Sequence, residues 1–198
     1  LVKAMDEQGN RSAGLTLEVA TATDFTDDDF SIFEDDIEWL FSSGITRGCN
    51  PPVNDQYCPN DSLTRGQLAA MIARGLDLPA TSTDYFGDDD GTVFENDINR
   101  IAEAGITFGC NADGTNYCPD GLVTRGELAA MFDRALGLAD TATDYFTDDD
   151  GHLFEASINN LAEAGITKGC NPPTNDNYCP DDLLTRGQIA AFFRRALG

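Results

Sequence analysis

Basic side chains are scarce in this sequence: 12 Lys and Arg stand against 35 Asp and Glu, for a formal net charge of -23. A surface of that sign repels phosphate backbones and anionic headgroups before contact is made, which makes nucleic acid and membrane surfaces poor candidate partners. Histidine occurs once, at His152, and no two cysteines lie two to four residues apart, so a structural zinc site is not expected. A Ser-His-Asp arrangement would have to rest on that single residue, whose equivalent positions hold Ser31 and Thr92. No stretch approaches the roughly 18 apolar residues of a bilayer span, so no membrane insertion is expected. Leu1 opens no signal peptide, because Asp6, Glu7 and Gly9 interrupt any apolar run; the expectation is a mature chain or a piece of something longer. The acids are interspersed with a 41% apolar complement rather than collected in a tail, which favours a folded protein over a disordered one.

What is present is one unit used three times. The segment FTDDDFSIFEDDIEWLFSSGITRGC at Phe25 recurs at Phe86 and Phe146, a spacing of 61 and then 60 residues. Each copy runs on to a second cysteine and a Thr-Arg-Gly step: CPNDSLTRGQLAAMIARGL, CPDGLVTRGELAAMFDRAL and CPDDLLTRGQIAAFFRRAL. Within a unit the pattern reads helix, long loop, helix. Ile98, Ile101 and Ala102 share one stripe, and Gly105 ends the first helix. Ser31 with Glu34 and Thr92 with Glu95 suggest capping boxes at its start; Thr64 with Gln67, Thr124 with Glu127 and Thr185 with Gln188 suggest them for the second helix. A two-helix unit cannot bury its own stripe, so the units must share contacts. The fold expected is mainly α: three helix-loop-helix repeats, 25–78, 85–138 and 145–198, in a pseudo-threefold bundle. Residues 1–20 alternate around Gly9 and Asn10 and read as an N-terminal β-hairpin, similar to the last hairpin of a fibronectin type III-like domain lying upstream.

The six cysteines occupy equivalent places, Cys49 and Cys58, Cys110 and Cys118, Cys170 and Cys179. Symmetry favours pairing inside each unit, with a ring of bridges between units as the alternative. Bridges imply an oxidising compartment outside the cytoplasm. Tyr57, Tyr117 and Tyr178 precede the second cysteine of each unit. They read as covers for bridge and core, or alternatively as sugar-stacking platforms.

These residues resemble the S-layer homology repeats. The resemblance rests on Phe-x-Asp (Phe25 and Asp27, Phe86 and Asp88, Phe146 and Asp148), on Gly-Ile-Thr-x-Gly (Gly44 to Gly48, Gly105 to Gly109, Gly165 to Gly169) and on the Thr-Arg pairs. It implies a non-catalytic, three-pronged helical module on the surface of a bacterium, whose inter-repeat grooves hold an anionic, cell-wall-linked glycopolymer. Carried over, it points to Arg65, Arg125 and Arg186, with Gly48, Gly109 and Gly169 admitting the ligand to the backbone and Asp27, Asp88 and Asp148 in the same site. A guanidinium fork suits a carboxylate ligand. The same arginines could instead be helix-start residues paired with nearby aspartates. The family's usual Trp near the first helix is Phe33, Phe94 or Phe154 here, and the Ala after Thr-Arg is Gly66, Gly126 or Gly187.

The runs Asp27 to Asp29, Asp88 to Asp90 and Asp148 to Asp150 complement a helix N-terminus. A calcium loop through Asp88, Asp90, Thr92 and Glu95 is the other reading, although the EF-hand spacing is absent. No cofactor is required, and no catalytic constellation stands out. Three functions therefore remain: a wall-polysaccharide anchor, a self-associating subunit of a surface layer or filament, and a glycan hydrolase using paired carboxylates.

Overall fold

A computed structural model describes residues 25–198 of the chain. The hairpin expected over 1–20 lies outside the described residues. The described chain is mainly helical: α1 (Glu34–Ser42), α2 (Arg65–Gly75), α3 (Glu95–Glu103), α4 (Arg125–Leu136), α5 (Glu155–Glu163) and α6 (Arg186–Leu197).

The second helix of each unit starts where its sequence says. Thr64, Thr124 and Thr185 each accept the N–H of the third helical residue, and Gln67, Glu127 and Gln188 accept the N–H of the threonine in return. Each such cap contributes about 1 kcal/mol. The first helices differ from expectation. They begin two residues later, behind Phe33, Phe94 and Phe154, and none has a side-chain cap. Ser31 Oγ and His152 Nδ1 accept the N–H of that phenylalanine instead, while Glu34, Glu95 and Glu155 accept the N–H of Phe30, Gly91 and Gly151. The acids thus close the loop before the helix, because their distance from the Ser/Thr position places the carboxylate over that loop.

Principal helix contacts run between units: α2 with α3, α4 with α5, and α6 with α1. At the centre the backbone closes a ring. Leu63 N–H donates to Leu184 C=O at 3.0 Å, Leu184 N–H to Val123 C=O at 2.9 Å, and Val123 N–H to Leu63 C=O at 3.0 Å. All three side chains are fully buried. A single apolar cluster spans every unit, so each helix pair buries its stripe against a neighbour, as the size of the unit requires.

The cysteines pair within units, Cys49 with Cys58, Cys110 with Cys118 and Cys170 with Cys179. The backbone between them is held by the opening aspartate: Asp27 accepts the N–H groups of Tyr57 and Cys58, and Asp88 and Asp148 do the same in their units.

Candidate functional site

The three seams between units carry the cations. In each, an arginine of the Thr-Arg step lies against the tyrosine of the neighbouring unit. Arg65 Nε donates to Tyr117 C=O at 2.8 Å, Arg125 Nε to Tyr178 C=O at 2.8 Å, and Arg186 Nε to Tyr57 C=O at 2.7 Å. The tyrosine hydroxyls return the bond to the arginine carbonyls at 2.9, 2.8 and 2.6 Å. Each guanidinium lies 4.7 to 4.9 Å over its tyrosine ring. This clasp leaves the arginines only 4 to 6% exposed. Burial holds Arg125 and Arg186 below the usual guanidinium range, and it pushes all three tyrosines up.

The aromatic stack and two backbone bonds compensate the desolvated charge. Tyrosine therefore covers the core and closes the seam with both ends of its side chain. Spacing alone could not find that partnership, since Tyr57 and Arg186 lie 129 residues apart.

The remaining guanidinium edges face the grooves, and there the seams diverge. Arg186 Nη2 approaches Gly48 C=O and Arg65 Nη2 approaches Gly109 C=O, each at 3.3 Å. Arg125 Nη2 is buried without a partner. Gly48, Gly109 and Gly169 have φ of +87°, +92° and +83°, and a Cβ at each would strike the backbone oxygen of Gln56, Asn116 or Asn177 at 2.6 to 2.7 Å. Their lack of a side chain is thus required by the cysteine loop behind them. Asp27, Asp88 and Asp148 are occupied by amides of the same loop.

In the first seam the groove wall includes Arg47, Arg74, Gln67 and Arg186. Arg47 is exposed and forms no ion pair among the described residues. Arg74 donates to Ile45 C=O at 3.1 Å and has Asp97 at 3.9 Å. The second seam places Phe108 where the first has Arg47, and Glu127 where it has Gln67. Glu127 pairs with Arg65 at 3.0 Å, and Arg134 lies 4.9 Å over the Phe108 ring. Glu127 thus offsets one of that seam's two arginines, and Phe108 covers the other. The seam encloses about 470 Å³ of empty space, against about 1170 Å³ in the first seam, solvent-open space included. At the third seam Lys168 and Gln188 hold the same two positions, Arg195 donates to Ile166 C=O, and Phe192 packs 5.6 Å from the Arg125 guanidinium.

A second pattern was invisible in the sequence. A Cβ at Gly66, Gly126 or Gly187 would meet the ring of Phe94, Phe154 or Phe33 at 2.5, 2.9 and 2.6 Å. The phenylalanine and the glycine, two apparently separate features of the repeat, are therefore one contact across each seam.

A helical assembly with cations gathered in repeated seams defines the class, and comparison with known proteins specifies it further. Residues 145–190 match the family described as the S-layer homology domain. The chain is 32% identical over 168 residues to an amylopullulanase of Thermoanaerobacterium thermosulfurigenes, covering 80% of this chain and 8% of that protein. It is 28% identical over 171 residues to the S-layer protein sap of Bacillus anthracis, covering 81% of this chain and 19% of that protein. An endoglucanase of Bacillus sp. (strain KSM-635) is 31% identical over 112 residues, or 57% of this chain and 12% of that protein. The chain thus spans under a fifth of the length of these relatives. No helix among the described residues is long and apolar enough to cross a membrane.

Proposed function

We propose that the chain is a non-catalytic anchoring module of a bacterial cell surface, made of three S-layer homology repeats, which binds an anionic cell-wall-linked glycopolymer in the seams between repeats. The observation that carries the reading is the first seam. It sets Arg47, Arg74 and Arg186 along one open groove in a chain of net charge -23. Cations concentrated in a cleft of an otherwise acidic surface focus the field there, so an acidic sugar is drawn to the groove and repelled elsewhere. The third seam, with Lys168, Arg195 and the unpartnered Arg125 Nη2, is the next candidate. The second, narrowed by Phe108 and with Arg65 paired to Glu127, is the weakest.

The named relatives support the reading. They include a surface-layer protein and polysaccharide-degrading enzymes, each sharing a segment that is a small part of its own length. A common segment on proteins of such different description suits a means of attachment better than a catalyst.

The test is sedimentation of the purified chain with isolated cell wall, with and without its secondary polymer. Arg47→Ala removes an exposed cation without entering a clasp. Loss of one charge-assisted contact, at about 1.5 to 3 kcal/mol, reduces retention roughly tenfold or more. Arg194→Ala, the same charge change at a pair with Asp36, leaves retention unchanged. Equal retention on stripped and intact wall, or equal loss in both variants, would sink the proposal.

A further inference from the structure

Two acids in the loop before the first helix of the second and third units are held by backbone amides. In the second unit Asp88 accepts the N–H groups of Tyr117 and Cys118, and Glu95 accepts that of Gly91. Asp89 differs: it is fully buried, and neither carboxylate oxygen has a hydrogen-bond partner. The third unit repeats the arrangement, with Asp148 and Glu155 occupied and Asp149 fully buried without partners. An unsatisfied buried carboxylate is costly, and its recurrence at equivalent places shows that it is a built feature.

The surroundings of these two groups indicate what satisfies them. Oxygens of Asp84, Asp89 and Asp90 lie within 4.8 Å of one another, as do those of Asp144, Asp149 and Asp150. Both sets differ from the loop of Asp88, Asp90, Thr92 and Glu95 considered from sequence, because Asp88 and Glu95 are taken by amides. Burial, together with the charges of Asp84, Asp88 and Glu95, holds the Asp89 carboxyl up to about 6, and burial does the same for Asp149. Three carboxylates with no cation between them repel one another, whereas a divalent ion would reverse the sign of every one of those interactions.

We propose that Asp84, Asp89 and Asp90, and likewise Asp144, Asp149 and Asp150, form two calcium sites, each seated on the buried carboxylate. All donors are hard oxygens, which suits calcium, and its flexible six-to-eight-fold coordination allows water to complete the shell. Magnesium, which demands tight octahedral geometry, fits such an open set less well. Position 84 corresponds to Thr23 in the first unit, outside the described residues. The inference is independent of the wall-binding reading, since neither set touches a seam arginine.

The experiment uses the full chain stripped with a chelator and then titrated calorimetrically with calcium chloride, and separately with terbium, whose luminescence Tyr85 and Tyr145 are placed to sensitise. The expected result is at least two equivalents bound and a melting temperature raised by calcium more than by sodium or magnesium at equal ionic strength. Asp89→Asn with Asp149→Asn, nearly isosteric, should fold at least as well in chelator and lose two equivalents. Asp77→Asn with Asp120→Asn makes the same charge change on exposed acids and should lose none. Absence of saturable binding, or unchanged stoichiometry in the first pair, overturns the proposal by assigning any calcium effect to the diffuse ion atmosphere.

Discussion

Replacing Gly187 by alanine puts one methyl group into the seam that joins the first unit to the last, and two arguments predict opposite signs for it. Gly187 lies in the first turn of α6, where alanine is the better helix former by about 0.5 to 1 kcal/mol. If the seam had room, the variant would be more stable. The new Cβ would instead lie 2.6 Å from Phe33 Cδ2 and 3.0 Å from the backbone oxygen of Pro59. The ring could rotate away, but the oxygen cannot follow, because Pro59 C=O accepts the N–H of Gly187 itself at 2.8 Å. Overpacking of this kind costs about 1 to 3 kcal/mol, so the clash outweighs the propensity gain and the expected net loss is about 1 to 2 kcal/mol. For a chain of this size that lowers the melting temperature by roughly 2 to 8 °C. Phe33→Leu in the same chain shortens the ring and should recover part of the loss, giving a coupling of about 1 kcal/mol in a double-mutant cycle followed by urea denaturation. A Gly187→Ala protein more stable than wild type, or a strictly additive cycle, would refute the steric account of the glycine and phenylalanine pairing.

Tyr57→Phe removes the 2.6 Å bond to Arg186 C=O and strands a buried carbonyl, so the urea midpoint should fall by the equivalent of about 1 to 3 kcal/mol; an unmoved midpoint would mean the clasp contributes only through its stacked guanidinium. Reduction should also destabilise the chain, because each bridge closes a span of 8 or 9 residues, worth about 2 to 3 kcal/mol in the chain-entropy treatment. Calorimetric melting with and without dithiothreitol measures it, and identical traces would show that the aspartate-held loops need no cross-link.

The parts of this molecule legible in its sequence are those fixed by local chemistry repeated at a constant interval. Thr124 and Glu127 announce a helix start because both halves of the capping box lie within one turn, and the helix is found there. Cysteine pairing followed from equivalence between units. Ser31 with Glu34 looked the same and was not, since a three-residue spacing is necessary for a capping box but the backbone at Phe33 had already taken another course. What escaped was every interaction whose partners sit in different units. The reciprocity of Arg65 with Tyr117, and of Gly66 with Phe94, depends on how helices cross, and no periodicity encodes that. Asp89 escaped for a related reason: in a run of three aspartates, only the fold decides which one faces inward.

The clasp also limits how any ligand preference could be distributed among the seams. Arg65, Arg125 and Arg186 make the same clasp with a tyrosine in every seam, so changing one removes a bond that the other two seams keep. At the rim, Arg47, Phe108 and Lys168 occupy one position and Gln67, Glu127 and Gln188 another. A change from Arg to Phe removes a donor and adds a ring that covers the neighbouring Arg134; a change from Gln to Glu adds a charge that cancels Arg65. Two substitutions thus make the groove smaller and less cationic. Under the proposed reading, introducing arginine for Phe108 and glutamine for Glu127 would turn the second seam into a copy of the first. The gain should appear in wall retention even though the melting temperature falls slightly, since the exchange removes the Glu127 pair with Arg65 and the Phe108 ring under Arg134.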